Sequence, residues 1–228
     1  MSAPARPRSQ LEQPEKPGIR SGLMEVTIGA LGTRDAVAGG RLLSRAFADD
    51  PIITHFLHDP VRRAIALPAL FEGVLHELFP STQVFGAWSK ERLVGVAAWL
   101  PPHPVEVDDA ARSHADRCQQ IVETMFPLTS GALFEGFAAL ERLHPEAPHW
   151  YLAFVGIEPA LQGQGTGRQL LAPVLNVADE TSTICYLETP FPRTHSFYEN
   201  LGFARDAEPR TFAGAPQGVV SFLRAPRP

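Results

Sequence analysis

Apolar positions along the chain change period several times, and each change marks an element. Glu25–Ile28 reads as a first strand. Behind Thr33, the residues Ala36, Val37, Leu42, Leu43, Ala46 and Phe47 recur at helical spacing, which predicts a helix capped by Thr33 and stopped by Asp49-Asp50-Pro51. A second helix is predicted from Arg62 to Leu78, with Pro68 inside it and Phe79-Pro80 closing it. Apolar positions then alternate from Gln83 to Trp88 and from Arg92 to Leu100 about Ser89-Lys90-Glu91, the pattern of a hairpin. Two further helical patterns, from Asp108 to Met125 and from Gly131 to Leu143, are each bounded by proline. Leu152–Ile157 and Thr183–Thr189 are β-rich, and Gly218–Leu223 supplies a last strand.

Chemistry concentrates between the first two of those three late strands. Leu152–Ile157 runs through Glu158-Pro159 into Gln162-Gly-Gln-Gly-Thr-Gly-Arg168. Behind the loop, Leu170, Leu171, Val174, Leu175 and Ala178 mark the inward face of a helix. Glycines at 163, 165 and 167 permit a tight turn and a close backbone approach, and the free N–H groups of the helix start suit a phosphate or pyrophosphate. Pro173 removes one backbone donor, so the helix is expected either to kink there or to be held straight by packing alone.

Two other phosphate loops compete for this segment. A Walker loop needs Lys and then Ser or Thr after its last glycine, whereas Gly167 is followed by Arg168 and Gln169. A dinucleotide fingerprint needs a glycine where Arg168 stands; Glu188 lies near the expected distance for its ribose anchor, which keeps a nucleotide-dependent redox enzyme as an alternative. The remaining pattern, Gln-x-x-Gly-x-Gly directly behind Val-Gly-Ile-x-Pro, resembles the acetyl-CoA loop of the GNAT N-acetyltransferase superfamily. Cys185–Thr189 followed by Phe197-Tyr-Glu-Asn-Leu-Gly-Phe203 is similar to that family's second signature, a strand and a helix ending in an aromatic pair and Gly-Phe. The paired helices before the loop, with Ala46–Pro51, resemble the puromycin N-acetyltransferase-like branch.

The resemblance implies an α/β fold, a mixed central sheet splayed open and flanked by helices, and transfer of an acetyl group from acetyl-CoA to a primary amine, expected to be a small molecule. It implies that Tyr198 protonates the departing thiolate; an ordinary phenol pKa near 10 suits a donor at neutral pH. It implies that Gly156 marks a strand bulge, that Val155, Gly156 and Ile157 meet the pantetheine arm, and that Gln162, Gly163, Gln164, Gly165, Thr166, Gly167 and Arg168 surround the pyrophosphate. Where many relatives carry asparagine, this chain has Phe191 and Thr194; the Thr194 hydroxyl is the expected substitute contact, and a non-catalytic acyl-CoA-binding module is a further alternative. Arg193 and His195 flank that gap as possible phosphate contacts. For the general base, His149, Glu188 and Glu158 are the candidates. Asp49, Asp50, Phe56, Trp99, Phe134, Phe137, Trp150 and Tyr151 come from elements that flank the acceptor cleft in the resembled branch, and aromatics with carboxylates suit a cationic amine.

Composition narrows the rest. The 228 residues, 44% hydrophobic and 20% charged, suit one domain over 23–228. The Pro-rich, apolar-poor segment 1–22 is expected to be a disordered tail. A net charge of −5 and a pI near 5.9 give no reason to expect a nucleic-acid surface. No apolar run approaches a membrane span, and two distant cysteines without a secretory segment point to a cytoplasmic protein, with homo-oligomers open and no metal expected.

Overall fold

The computed structural model describes residues 25–79, 83–103, 108–211 and 218–227. The expected tail, 1–22, lies outside the described residues. Among the described residues there are eight strands and seven α-helices, and seven of the strands follow the order β1-β2-β3-β4-β5-β8-β6, with β7 pairing separately with β8.

The N-terminal half is antiparallel: β1 (Thr27–Ala30), β2 (Gln83–Ser89), β3 (Arg92–Leu100) and β4 (His149–Ile157) pair in turn. β1 sits two residues later than its apolar pattern predicts, because Thr27 through Ala30 take the register opposite Trp88 through Phe85. The β2–β3 turn follows expectation, with Lys90 at φ 56 supplying the left-handed residue. β4 and β5 (Ile184–Thr189) run parallel, and β8 (Gly218–Arg224) closes against β5. The short β6 (Ala204–Arg205) and β7 (Arg210–Thr211) extend the β8 side.

Helices α1 (Ala36–Ala46), α2 (Pro51–Phe56), α3 (Pro60–Leu78), α4 (Asp109–Met125) and α5 (Ser130–Leu140) precede the loop, and α6 (Thr166–Glu180) and α7 (His195–Glu199) follow it. Two apolar clusters divide the core. One joins α1, α2 and α3 to Val96 and Ala98; the other joins α6 and α7 to Ala97, Trp99, Leu152 and Leu187. Adjacent residues of β3 thus serve opposite clusters, as the two-residue strand period requires.

Local capping explains several helix starts. Thr33 opens a 3₁₀ turn rather than capping α1, and the turn is closed by Gly32 N–H donating to Asp35 Oδ2 at 3.0 Å. α1 ends at Ala46 with Phe47 as its C-cap, and Asp50 starts α2, its Oδ1 accepting from Ile52 and Ile53 N–H at 2.9 and 3.0 Å. Asp59 starts α3 the same way, two residues before the predicted boundary. α6 runs through Pro173 unbroken from Thr166 to Glu180, with Leu170, Leu171, Val174, Leu175 and Ala178 buried on one side. Packing, not the local hydrogen-bond ladder, therefore holds this helix through the proline.

Candidate active site

β4 and β5 pair only through His149–Tyr151 and Ile184–Tyr186, and beyond Tyr151 the two strands part. One edge of β4 remains bonded to β3 as far as Ile157, while the edge facing β5 is left without a strand partner. A cleft of about 550 Å³ occupies the opening. Its walls are Leu152–Ile157 from β4, Leu187–Thr189 from β5, the glycine loop with the start of α6, and Phe197 and Tyr198 from α7.

The β-bulge falls elsewhere than on Gly156. Gly156 pairs in register with Val96, and the irregularity lies where Ala98 opposes Phe154 but Trp99 opposes Leu152, making Ala153 the extra residue. Gly156 answers a different constraint. A Cβ there would stand 2.8 Å from Leu43 Cδ2 and 2.9 Å from Ala46 Cβ, so the missing side chain lets α1 cross close to β4.

The loop geometry explains two of its glycines by backbone angle and the third by packing. Gly163 and Gly165 have φ of 76° and 82°, the left-handed region open to glycine, and Gly165 is the N-cap of α6. Gly167 is already helical; a Cβ on it would meet the Phe197 ring at 3.1 Å. The Thr166, Gly167 and Arg168 N–H groups of the first turn have no helical acceptor, and these residues line the cleft. Thr166 Oγ1 is buried beside them without a hydrogen bond among the described residues. Gln162 plays a structural part, its Nε2 donating to Ile157 O at 3.2 Å. Gln164 is exposed and outside the cleft lining. Arg168 lines the cleft and reaches Asn200 O at 3.5 Å. An α-helix start with unpaired donors, two open glycines and a free strand edge fit a pyrophosphate and the amide-bearing arm of an acyl-CoA.

Tyr198 is buried, packs against Phe203 and Phe222, and its hydroxyl makes no hydrogen bond among the described residues. Burial pushes its phenol above the ordinary tyrosine value, so it stays protonated at neutral pH. Thr194 is committed differently from expectation. Its hydroxyl donates to Phe191 O at 2.8 Å and lies 3.1 Å from Thr189 Oγ1, which leaves it only acceptor capacity toward a ligand. His195 turns inward, meeting Arg205 at 2.8 Å and the Phe222 ring, and so is not a phosphate contact. Arg193 remains at the mouth, stacked 4.3 Å over Phe191.

The three candidate bases separate clearly. His149 lies at the paired end of β4, with Nδ1 2.8 Å from Ala147 O, and lines a second concavity of about 310 Å³ instead of the cleft. Glu158 is bound by Arg45 at 2.7 Å and Arg92 at 3.4 Å, and the Arg45 hydrogen bonds hold its carboxyl below the usual range. Glu188 lies on the cleft wall with its side chain 2% exposed and, among the described residues, no cation beside it. Burial pushes its carboxyl up to about 7, against the smaller opposing effect of the Tyr186 and Tyr151 phenols. Neither Glu188 oxygen closes a well-formed hydrogen bond, and the buried His144 Nε2, 3.7 Å away, is equally unsatisfied. Burial holds His144 down at about 4, so it is neutral and supplies no counter-charge.

Most of the proposed acceptor aromatics belong to the core. Trp99 and Trp150 pack on the α6 side and Phe56 on the other, while Phe134 packs against the α1–α3 cluster and Phe137 is partly exposed. Only Asp50 and Tyr151 reach the relevant surfaces, Asp50 on the cleft and Tyr151 beside Glu188. Asp49 does not line the cleft. Phe47, Phe154, His144 and Tyr186 were not singled out by the sequence; only the helical period at Phe47 and strand positions at Phe154 and Tyr186 hinted at placement.

Residues 120–205 match the family described as Acetyltransferase (GNAT) domain. An uncharacterized N-acetyltransferase of Schizosaccharomyces pombe is 37% identical over 24% of this chain, which spans only 22% of that relative's length. The N-alpha-acetyltransferase RimI of Mycobacterium tuberculosis is 27% identical over 45% of this chain and 80% of its own. The crystal structure described as histone acetyltransferase HPA2 and related acetyltransferase from Corynebacterium glutamicum superposes with a TM-score of 0.68 at 24% identity, covering 90% of this chain and 98% of that one. No helix among the described residues is long and apolar enough to cross a membrane. The chain thus shares the fold of that acetyltransferase, with splayed strands at its centre, and its residues 120–205 match the GNAT acetyltransferase domain.

Proposed function

We propose that the chain transfers an acetyl group from acetyl-CoA to the primary amine of a small molecule, as a cytoplasmic enzyme in which residues 23–228 form the catalytic domain. The observation carrying this reading is the opening of β4 from β5 beside the α6 N-terminus, with Tyr198 and Glu188 both on its walls. Gly163, Gly165, Thr166, Gly167 and Arg168 hold the pyrophosphate chiefly through backbone N–H groups, and the free edge at Val155, Gly156 and Ile157 pairs with the pantetheine arm. A β4 amide near Val155 faces the thioester oxygen and stabilises the tetrahedral oxyanion.

The amine nitrogen attacks the thioester carbon as its proton passes to the Glu188 carboxylate. A carboxyl titrating near 7 is half ionised at neutral pH and gains more from accepting a proton than an ordinary one. On collapse the C–S bond breaks, and Tyr198 gives its proton to the coenzyme thiolate. The neutral His144 leaves Glu188 as the proton acceptor of this group. Asp50 at the α1–α2 junction favours a cationic acceptor, and the paired α4–α5 insertion favours the puromycin N-acetyltransferase-like branch.

Incubating the full chain with labelled acetyl-CoA and a panel of small amines and N-terminal peptides tests the reading. Labelled amide on a small amine with stoichiometric thiol release is the expected result. Tight acetyl-CoA binding without turnover on any acceptor indicates a binding module. Acetylation confined to peptides retains the chemistry and replaces the substrate class.

A further inference from the structure

Away from the cleft, α3 and α4 pack closely because small residues meet at their crossing. A Cβ on Gly73 would stand 2.7 Å from Cys118 Cβ and 3.4 Å from the Ala115 Cα. This approach brings together side chains that lie beside the crossing on each helix. Glu72 and His76 are four residues apart on α3 and so share a stripe, and His114 precedes Ala115 on α4.

The ligand atoms of Glu72, His76 and His114 all lie within 4.8 Å of one another, and all three residues are half-buried. His114 Nε2 is 3.1 Å from Glu72 Oε1, and the two imidazole rings stack with centroids 3.7 Å apart. The His114–Glu72 contact is accounted for by a hydrogen bond. His76 makes none among the described residues, and its ring lies at a tilt of 34° beside that of His114. None of the three residues lines the cleft.

We propose that Glu72, His76 and His114 form a binding site for a borderline divalent transition cation, zinc in the first instance, which ties α3 to α4. Two imidazoles and one carboxylate suit zinc, nickel or copper better than magnesium or calcium, which prefer all-oxygen sets. Around a tetrahedral zinc with bonds of about 2.0–2.2 Å, ligand atoms stand roughly 3.3–3.6 Å apart. Separations within 4.8 Å close to that by side-chain rotation alone, and half-burial leaves a fourth position for water.

The protonation of the site is consistent with such a ligand. His114 Nδ1 lies 3.4 Å from Arg117 Nη2, so Nδ1 accepts and Nε2–H donates to Glu72. When Nε2 binds a cation, the proton moves to Nδ1, and Arg117, an exposed side chain, turns to solvent.

The full chain, stripped with a chelator, is titrated with zinc by calorimetry and with cobalt by visible absorption. One ion per chain is expected, with cobalt bands of four-coordinate intensity and a melting temperature raised by about 5 °C or more at a hundredfold excess over Kd. His76→Gln and His114→Gln should each weaken binding by at least about tenfold. His76→Gln removes no hydrogen bond among the described residues, so it remains decisive if His114→Gln fails to fold. The proposal is overturned by the absence of stoichiometric binding, or by binding that persists unchanged in His76→Gln, which would place the metal on other histidines.

Discussion

Two buried carboxylates stand beside diverging strands and are held in opposite ways. At the end of β4, Glu158 receives Arg45 Nη2 at 2.7 Å and Nε at 3.1 and 3.2 Å, with Arg92 behind it. On β5, Glu188 has two tyrosines and a neutral histidine for neighbours and no cation. Pairing lowers the first carboxyl and desolvation raises the second. Burial alone therefore does not fix the direction in which a carboxyl shifts; burial without a positive partner raises its proton affinity. The arginine-bound carboxylate ties α1 to the end of β4 beside the cleft, while the unpaired one stays open to a proton at neutral pH.

The hardest test of that contrast is Glu188→Gln. It keeps the shape and removes the proton acceptor, so turnover should fall about 10²- to 10⁴-fold while coenzyme affinity measured by calorimetry is nearly unchanged. A turnover within a few-fold of the parent would sink the base assignment.

Tyr198→Phe probes the other half of the proton transfer. Because its hydroxyl has no partner among the described residues, melting should hold steady while kcat drops by about 10²-fold or somewhat less than for Glu188→Gln. Lost stability with intact kcat would make the tyrosine a packing residue.

A pH series sharpens the comparison at smaller cost in rate. With Glu188 acting from its ionised form, kcat/KM should decline about tenfold per unit as pH falls below about 7, and Glu188→Gln should lack that limb. Glu158→Gln should keep it. A limb that survives in Glu188→Gln would assign the ionisation to another group.

Stability against pH should separate the two carboxylates with the smallest effect. Glu188 titrates higher folded than unfolded, so its contribution is greatest below about 4.5 and is lost as pH rises through about 7. Glu158 titrates lower when folded, so its contribution is present above the unfolded value and is lost as pH falls. Arg45→Met should cost about 1–2 kcal/mol at pH 7, below the figure for a fully buried pair because Arg45 is half exposed, and the cost should shrink in acid. Equal losses at pH 7 and pH 4, measured by denaturant melts, would remove the ion pair from the explanation.

The local chain determined what local physics can determine. The left-handed angles at Gly163 and Gly165, the helix behind them and the β2–β3 turn depend on residues a few positions apart and were legible as turn chemistry or as apolar period, whereas the equally local caps at Asp50 and Asp59 were not read. Tertiary structure decided the rest, because burial and charge pairing join distant segments. Gly156 turned from a bulge into a crossing point only when α1 arrived, and Thr194 lost its free proton to Phe191 once the turn closed. His149, Glu158 and Glu188 are equivalent as letters near strand ends. What distinguishes them is that Arg45, 113 residues away, neutralises one, the paired half of β4 carries another away from the cleft, and only the third is left dry and without a cation.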